Sequence, residues 1–136
     1  MTISPTLYAR QIILPAIQTD AEVTALIPAA SLYPSKTPNN PPKPFGRYGG
    51  GDTSTPLRPS GWKGGDVDGS YHIWVGVTSA IPDPKTYCEE ATAAIADVID
   101  ALSDCFVERT QILSDPDEVD VWHGVVIFTF NALAPV

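Results

Sequence analysis

Between Pro34 and Gly69 the chain holds fifteen of its twenty-four prolines and glycines. Proline brings no N–H and glycine loses the most backbone entropy on ordering, so no helix runs through Pro38-Asn39-Asn40-Pro41-Pro42 or Gly49-Gly50-Gly51. Helices must lie on either side of this stretch. Within it, only Phe45 to Tyr48 and Thr53 to Leu57 read as extended. The first is expected to be a strand. The second, with Trp62 and its flanking diglycines, is expected to belong to a loop excursion over about residues 49–69. Loops of that length are uncommon in compact domains and are usually functional or disordered until bound.

The flanks carry clearer periodicity. Ser4-Pro5 places an N-cap before a proline at the first helical position. The stripe Leu7, Tyr8, Ile12, Ile13, Ala16 and Ile17 predicts a helix over 5–18, which Pro15 should kink or whose regular part it should end early. Thr19-Asp20 re-caps a short second helix through Val23 and Leu26 that Pro28 stops. Ser70 to Thr78 alternates as a strand, with Tyr71, Ile73, Val75 and Val77 on one face and His72, Trp74, Gly76 and Thr78 on the other. Asp83-Pro84 then caps a long helix, with Cys88, Ala91, Ile95, Val98, Ile99 and Leu102 inward and Glu89, Glu90, Asp97 and Asp100 outward. Phe106 to Leu113 and Val119 to Leu133 are strands joined by an acidic turn around Asp115-Pro-Asp117-Glu118. The expected fold is α+β, a single domain over 1–136: a four-stranded antiparallel sheet with two helices packed on one face, in the order α-β-β-α-β-β, with the long Pro/Gly-rich loop inserted. At 136 residues, 43% of them hydrophobic, the chain suffices for one core.

A net charge of −8 argues against a protein whose task is to grip phosphates. The charge is uneven. Residues 1–82 carry six bases and five acids, for +1, whereas residues 83–136 carry two bases and eleven acids, for −9. Five of the eight bases fall between Lys36 and Lys63, so a locally positive element faces a negative body, which suits docking between unlike surfaces. No run approaches the ~20 apolar residues of a membrane span, and the start lacks the pattern of a secretory signal, so synthesis in a cytosol is expected. Cys88 and Cys105 lack metal-type spacing and are expected to be buried, reduced thiols.

Signatures of catalysis are sparse. No Gly-x-Ser-x-Gly, His-Glu-x-x-His or phosphate-cradling Gly-Lys-Ser/Thr loop is present. His72 and His123 each sit in a strand, where packing or hydrogen bonding is the ordinary role. Asp66-Val-Asp68-Gly-Ser70 begins like a calcium loop, but its glycine is fourth rather than sixth, Val77 stands where the twelfth-position glutamate belongs, and a strand follows; a turn leading into that strand is expected. Phe45, Tyr48 and Trp62 lie among the bases of the 36–63 stretch, yet the acidic total opposes a nucleic-acid patch there, and Trp62, Leu57 and Arg58 are residue types suited to protein contacts.

Taken in order, several pieces resemble one family. These are Gln18-Thr-Asp20-Ala-Glu-Val-Thr-Ala-Leu26-Ile, the Leu32-Tyr33-Pro34 step, Pro44-Phe45 leading a strand, the Tyr71 to Val77 strand, the Ala-rich helix from Glu90 to Leu102 and a final strand beginning His123-Gly124-Val125. Together they are similar to the tail-completion, or tail-terminator, proteins of long-tailed, siphovirus-like bacteriophages, over nearly the whole chain. The loop between Tyr48 and Ser70 departs in being longer and richer in Gly and Pro. The resemblance implies a structural part of the virion's neck, assembled in the host bacterial cytoplasm. Such a part is a homo-oligomeric ring, a hexamer, that caps the tail tube, ends its polymerisation and joins it to the head-neck connector, with no enzymatic activity, cofactor, metal or membrane. Its partners would be the tail tube protein and the connector or stopper protein, and genomic DNA would pass through without specific binding. On this reading Arg47, Arg58, Trp62 and Lys63 meet neighbouring subunits or the tube, and Glu89, Glu90, Asp97 and Asp100 form an acidic face toward channel or solvent. The alternatives are a head-completion or stopper protein on the portal side and, from another class, a small metal-dependent enzyme or binding module using His72, His123 and Asp68.

Overall fold

A computed structural model describes residues 4–49, 51–57 and 61–135, without the side chains of Trp62, Lys63, Ala134 and Pro135. Helix α1 spans Pro5–Thr19, α2 Ala21–Leu26 and α3 Pro84–Asp100; the strands are β1 (Leu32–Tyr33), β2 (Phe45–Tyr48), β3 (Thr53–Leu57), β4 (Trp62–Gly76), β5 (Cys105–Ser114) and β6 (Val121–Pro135).

The helices start where short polar side chains replace missing backbone partners. Ser4 Oγ accepts from the Leu7 N–H at 3.4 Å, Asp20 Oδ2 from Val23 N–H at 3.1 Å and Asp83 Oδ1 from Thr86 N–H at 3.3 Å. Asp20 also closes α1, its own N–H donating to the Ile17 carbonyl at 3.4 Å. Helix α1 runs through Pro15 to Thr19, close to the expected span of 5–18, and Pro15 does not end it early. Gln11 and Pro15 are both exposed, so the carbonyl that proline leaves without an intrahelical N–H lies on the solvent side of the helix, while Ile13 and Ile17 are buried on the other.

The sheet corrects the expected architecture. It has six strands in mixed orientation, ordered β1-β2-β4-β6-β5, with β3 also paired to β4, and it is accompanied by three helices. The expected four-stranded antiparallel sheet with two helices therefore does not hold. Two-residue β1 runs parallel to β2, and every other pairing is antiparallel. The supposed excursion is largely strand. Thr53–Leu57 pairs with Gly64–Asp68, and β4 begins at Trp62 instead of Ser70, matched residue for residue to β6 from Trp62↔Pro135 to Gly76↔Val121. The Asp66 to Ser70 segment is thus mid-strand, not a turn, which also ends its likeness to a calcium loop.

One face of the sheet is buried under all three helices. Val67, Tyr71, Ile73 and Val75 of β4 and Val126, Phe128 and Phe130 of β6 meet Ala9, Ile13 and Ile17 of α1, Val23 of α2 and Cys88, Ala91, Ile95 and Ile99 of α3. Helix α3 approaches β6 closely at Gly124, where an added Cβ would stand 2.0 Å from Thr92 Oγ1. At the sheet's outer edge, Asp100 Oδ1 accepts from the Val107 N–H at 3.1 Å, and a bulge follows between Val107 and Arg109. Both cysteines are free, and burial pushes their thiols up, to about 11 for Cys88 and about 12 for Cys105.

Candidate functional site

The helices leave the other face of the sheet uncovered. Strand alternation fixes what it carries, in rows running across the strands. The first row is Phe45, Trp74, His123 and Leu113, paired in sequence across β2, β4, β6 and β5. The second is Arg47, His72, Val125 and Gln111, and the third Ser70, Ile127 and Arg109. A fourth row, Thr53, Asp68, Thr129 and Phe106, leads to Thr55, Asp66 and Asn131. The face is therefore graded along the strands, aromatic and cationic at one end and carboxylate-rich at the other.

At the aromatic end the rings are stacked. Trp74 lies 5.0 Å from Phe45 and 4.5 Å from His123 between centroids, both nearly parallel, and Tyr33 continues the line 6.1 Å from Phe45. The Arg47 guanidinium sits 5.2 Å above the Trp74 ring, its Nε buried without a partner. At the other end the Thr129 hydroxyl lies 2.9 Å from Asp68 Oδ1 and 2.8 Å from Glu108 Oε1; its one proton serves one carboxylate at a time.

The two histidines, far apart in sequence, meet here. His72 Nδ1 is 2.7 Å from His123 Nε2, and the opposite His72 nitrogen is 2.9 Å from Ser70 Oγ. One N–H lies between the rings, so the two cannot both be fully protonated in this geometry. Burial lowers His72 to about 4, helped by His123 and Arg47. Burial also lowers His123, with Arg47 acting the same way and Asp115 against it. A group neutral when folded and protonated when unfolded makes the unfolded chain bind more protons. Stability from His72 is therefore complete above about pH 6.5 and is lost as pH falls toward 4. Urea midpoints should drop further between about pH 7 and about pH 4.5 in the wild type than in His72→Phe, which keeps the stack and removes the titration; equal drops would count against this.

Asp68 does not join the histidines. It bonds to Thr129, and among the described residues no group of three or more His, Cys, Asp or Glu is placed to hold a metal ion. Of the other expected site residues, Arg47 belongs to the uncovered face, Arg58 lies outside the described residues, and Trp62 and Lys63 have described backbone only, at the start of β4. Phe45 and Tyr48, grouped together by sequence, are separated by the sheet. Phe45 is on the uncovered face, and Tyr48 is in the core, edge-on to Phe128. Glu89, Glu90, Asp97 and Asp100 are all exposed on the outward side of α3. Arg109 and Leu113 escaped sequence reasoning; the signal for them was the alternation of Phe106 to Leu113, read without knowing which face was covered.

No protein-family model matches the chain, and a search of curated proteins finds no match. Solved structures do match. The chain is similar in fold to a chain in the structure titled "Virion of native gene transfer agent (GTA) particle", with a TM-score of 0.74, 12% sequence identity, and coverage of 98% of this chain and 100% of that one. Architecture is shared end to end at an identity that leaves most side chains different. The correspondence therefore concerns how strands and helices are arranged, and the graded sheet face is argued from this chain's own residues. Among the described residues no helix is long and apolar enough to cross a membrane.

Proposed function

We propose that the chain is a structural virion protein that forms a hexameric ring on the end of a phage-like tail tube, stops the tube's growth and presents a surface to the head-neck connector. The observation that carries this reading is the full-length likeness in fold to a chain of a gene transfer agent virion. The order of segments that resembles the tail-terminator family supports the finer assignment. The graded sheet face supports it physically, because ring closure needs unlike, complementary patches on each subunit. A body of net charge −8 suits a passage through which DNA moves without sticking. No reaction is assigned. The Ser70, His72 and His123 relay is most simply packing within the stack.

Adding the purified protein to polymerising tail-tube protein should give tubes of arrested length with one ring at an end, seen by negative-stain microscopy. Light scattering should report about six subunits per ring. Unrestricted tubes, with the protein instead bound to portal-side components, would move the assignment to a stopper. Indifference to both would reject the neck altogether.

A further inference from the structure

We propose that the uncovered sheet face receives a second copy of this chain, which lays the outward side of its α3 across Arg47 and Arg109 and so joins copies head to tail. This rests on the ring-forming reading above and names the surfaces that would make the ring. The two surfaces lie on opposite sides of the molecule. The sheet face turns away from the core, and Glu89, Glu90 and Asp97 are exposed on the far side of α3, with Asp100 exposed at its C-terminal end and one of its oxygens on the Val107 amide. A contact between two different surfaces is not two-fold, so it repeats into a ring or a filament.

Charge selects the occupant. The first three rows of the sheet face hold Arg47, Arg109 and two histidines held toward the neutral form, and no row residue is a carboxylate, Asp115 beyond the end of β5 being the one that acts on His123. The outward side of α3 holds four carboxylates, Asp100 with one oxygen already accepting from the Val107 N–H, and the helix's one cation, Lys85, is turned to the Trp122 ring at 5.2 Å. Among the described residues neither arginine forms an ion pair. Spacing agrees as well. Arg47 and Arg109 are three strands and one row apart, which is ~16 Å on ordinary sheet geometry. Glu90 and Asp100, ten residues apart in one helix, are separated by ~15 Å. A helix crossing the strands obliquely meets both arginines, and exposed Ala93 between the carboxylates lets it settle close to half-buried Trp74 and Ile127. The result is a third layer on a two-layer subunit, supplied by its neighbour.

The test is a reciprocal charge reversal read by analytical ultracentrifugation. Arg47→Glu with Arg109→Glu, and separately Glu90→Lys with Asp97→Lys, should each raise the concentration needed for assembly at least tenfold. An equimolar mixture of the two should restore assembly, because every junction in an alternating ring then pairs opposite charges. Arg109→Glu and Glu90→Lys alone, both at exposed positions, serve as the matched pair if a double variant fails to fold. Rings that form undiminished in each variant overturn the proposal, as does a mixture of folded variants that stays apart. A wild-type chain that never self-associates, even beside tube ends, overturns it too. The ring-capping reading fails separately: wild-type rings that respond to the reversals but leave tube growth unchanged keep this interface and remove that role.

Discussion

Gly124→Val is expected to destabilise the fold by several kcal/mol, and Gly124→Ala by about 1–3 kcal/mol, the usual range for forcing extra atoms into a packed core. The first carbon added would stand 2.0 Å from Thr92 Oγ1 and 3.2 Å from Cys88 Sγ. Thr92 is only 1% exposed, so its hydroxyl has nowhere to go without moving α3 off the sheet. Urea denaturation followed by circular dichroism measures the loss. Thr92→Ala combined with Gly124→Ala should recover most of it, since the second change removes the atom the first one meets. A Gly124→Ala midpoint equal to wild type would show that α3 sits further from β6 than described.

Phe128→Ala is expected to cost about 3–5 kcal/mol, the range for deleting a buried aromatic ring. Phe128 is wholly buried and stands edge-on to Tyr48 at 5.8 Å, and Tyr48 stands edge-on to Tyr71 at 6.0 Å, so one truncation opens the middle of an aromatic cluster between sheet and helices. Phe106 is the informative control. It is 64% exposed on the opposite side of the same sheet, and Phe106→Ala should shift the midpoint little. Similar losses at both positions would mean that the uncovered face contributes to folding in the single chain.

Legibility from sequence followed the range of the interactions. The helices were readable because what makes them is local: Ser4, Asp20 and Asp83 cap within three residues, and the stripe of α3 needs only its own period. Thr53–Leu57 and the first half of β4 were not, because Pro56 and the glycines at 64, 65 and 69 weaken the local preference for strand. What makes this region a sheet is the ladder to Phe130 and beyond, more than sixty residues away. A signal for it was available. The last strand reads as some fifteen residues long, whereas its hairpin partner covers only part of that length, so a second long partner had to come from residues before Ser70. The parallel contact of Leu32–Tyr33 with β2 carries no comparable signal in two residues. For the site, the alternation from Tyr71 to Val75 correctly separated the two faces, whereas Val77, expected inward, lies past the end of β4 and is 52% exposed. The meeting of His72 with His123 depends on strand register, which no single segment encodes.

The carboxylate of Asp100 on the Val107 amide, with the bulge that follows it, bears on how copies of this chain would join in the proposed ring. A sheet that recruits neighbours strand by strand offers each newcomer the same open ladder and has no built-in stopping point; fibrils are its limiting case. Here that route is blunted at the long outer strand, and the broad surfaces are what remain to be joined. Layers meeting face to face turn by a set angle at every addition, so the final number is written in the shape of one subunit, and the object closes when the angles sum to a full circle.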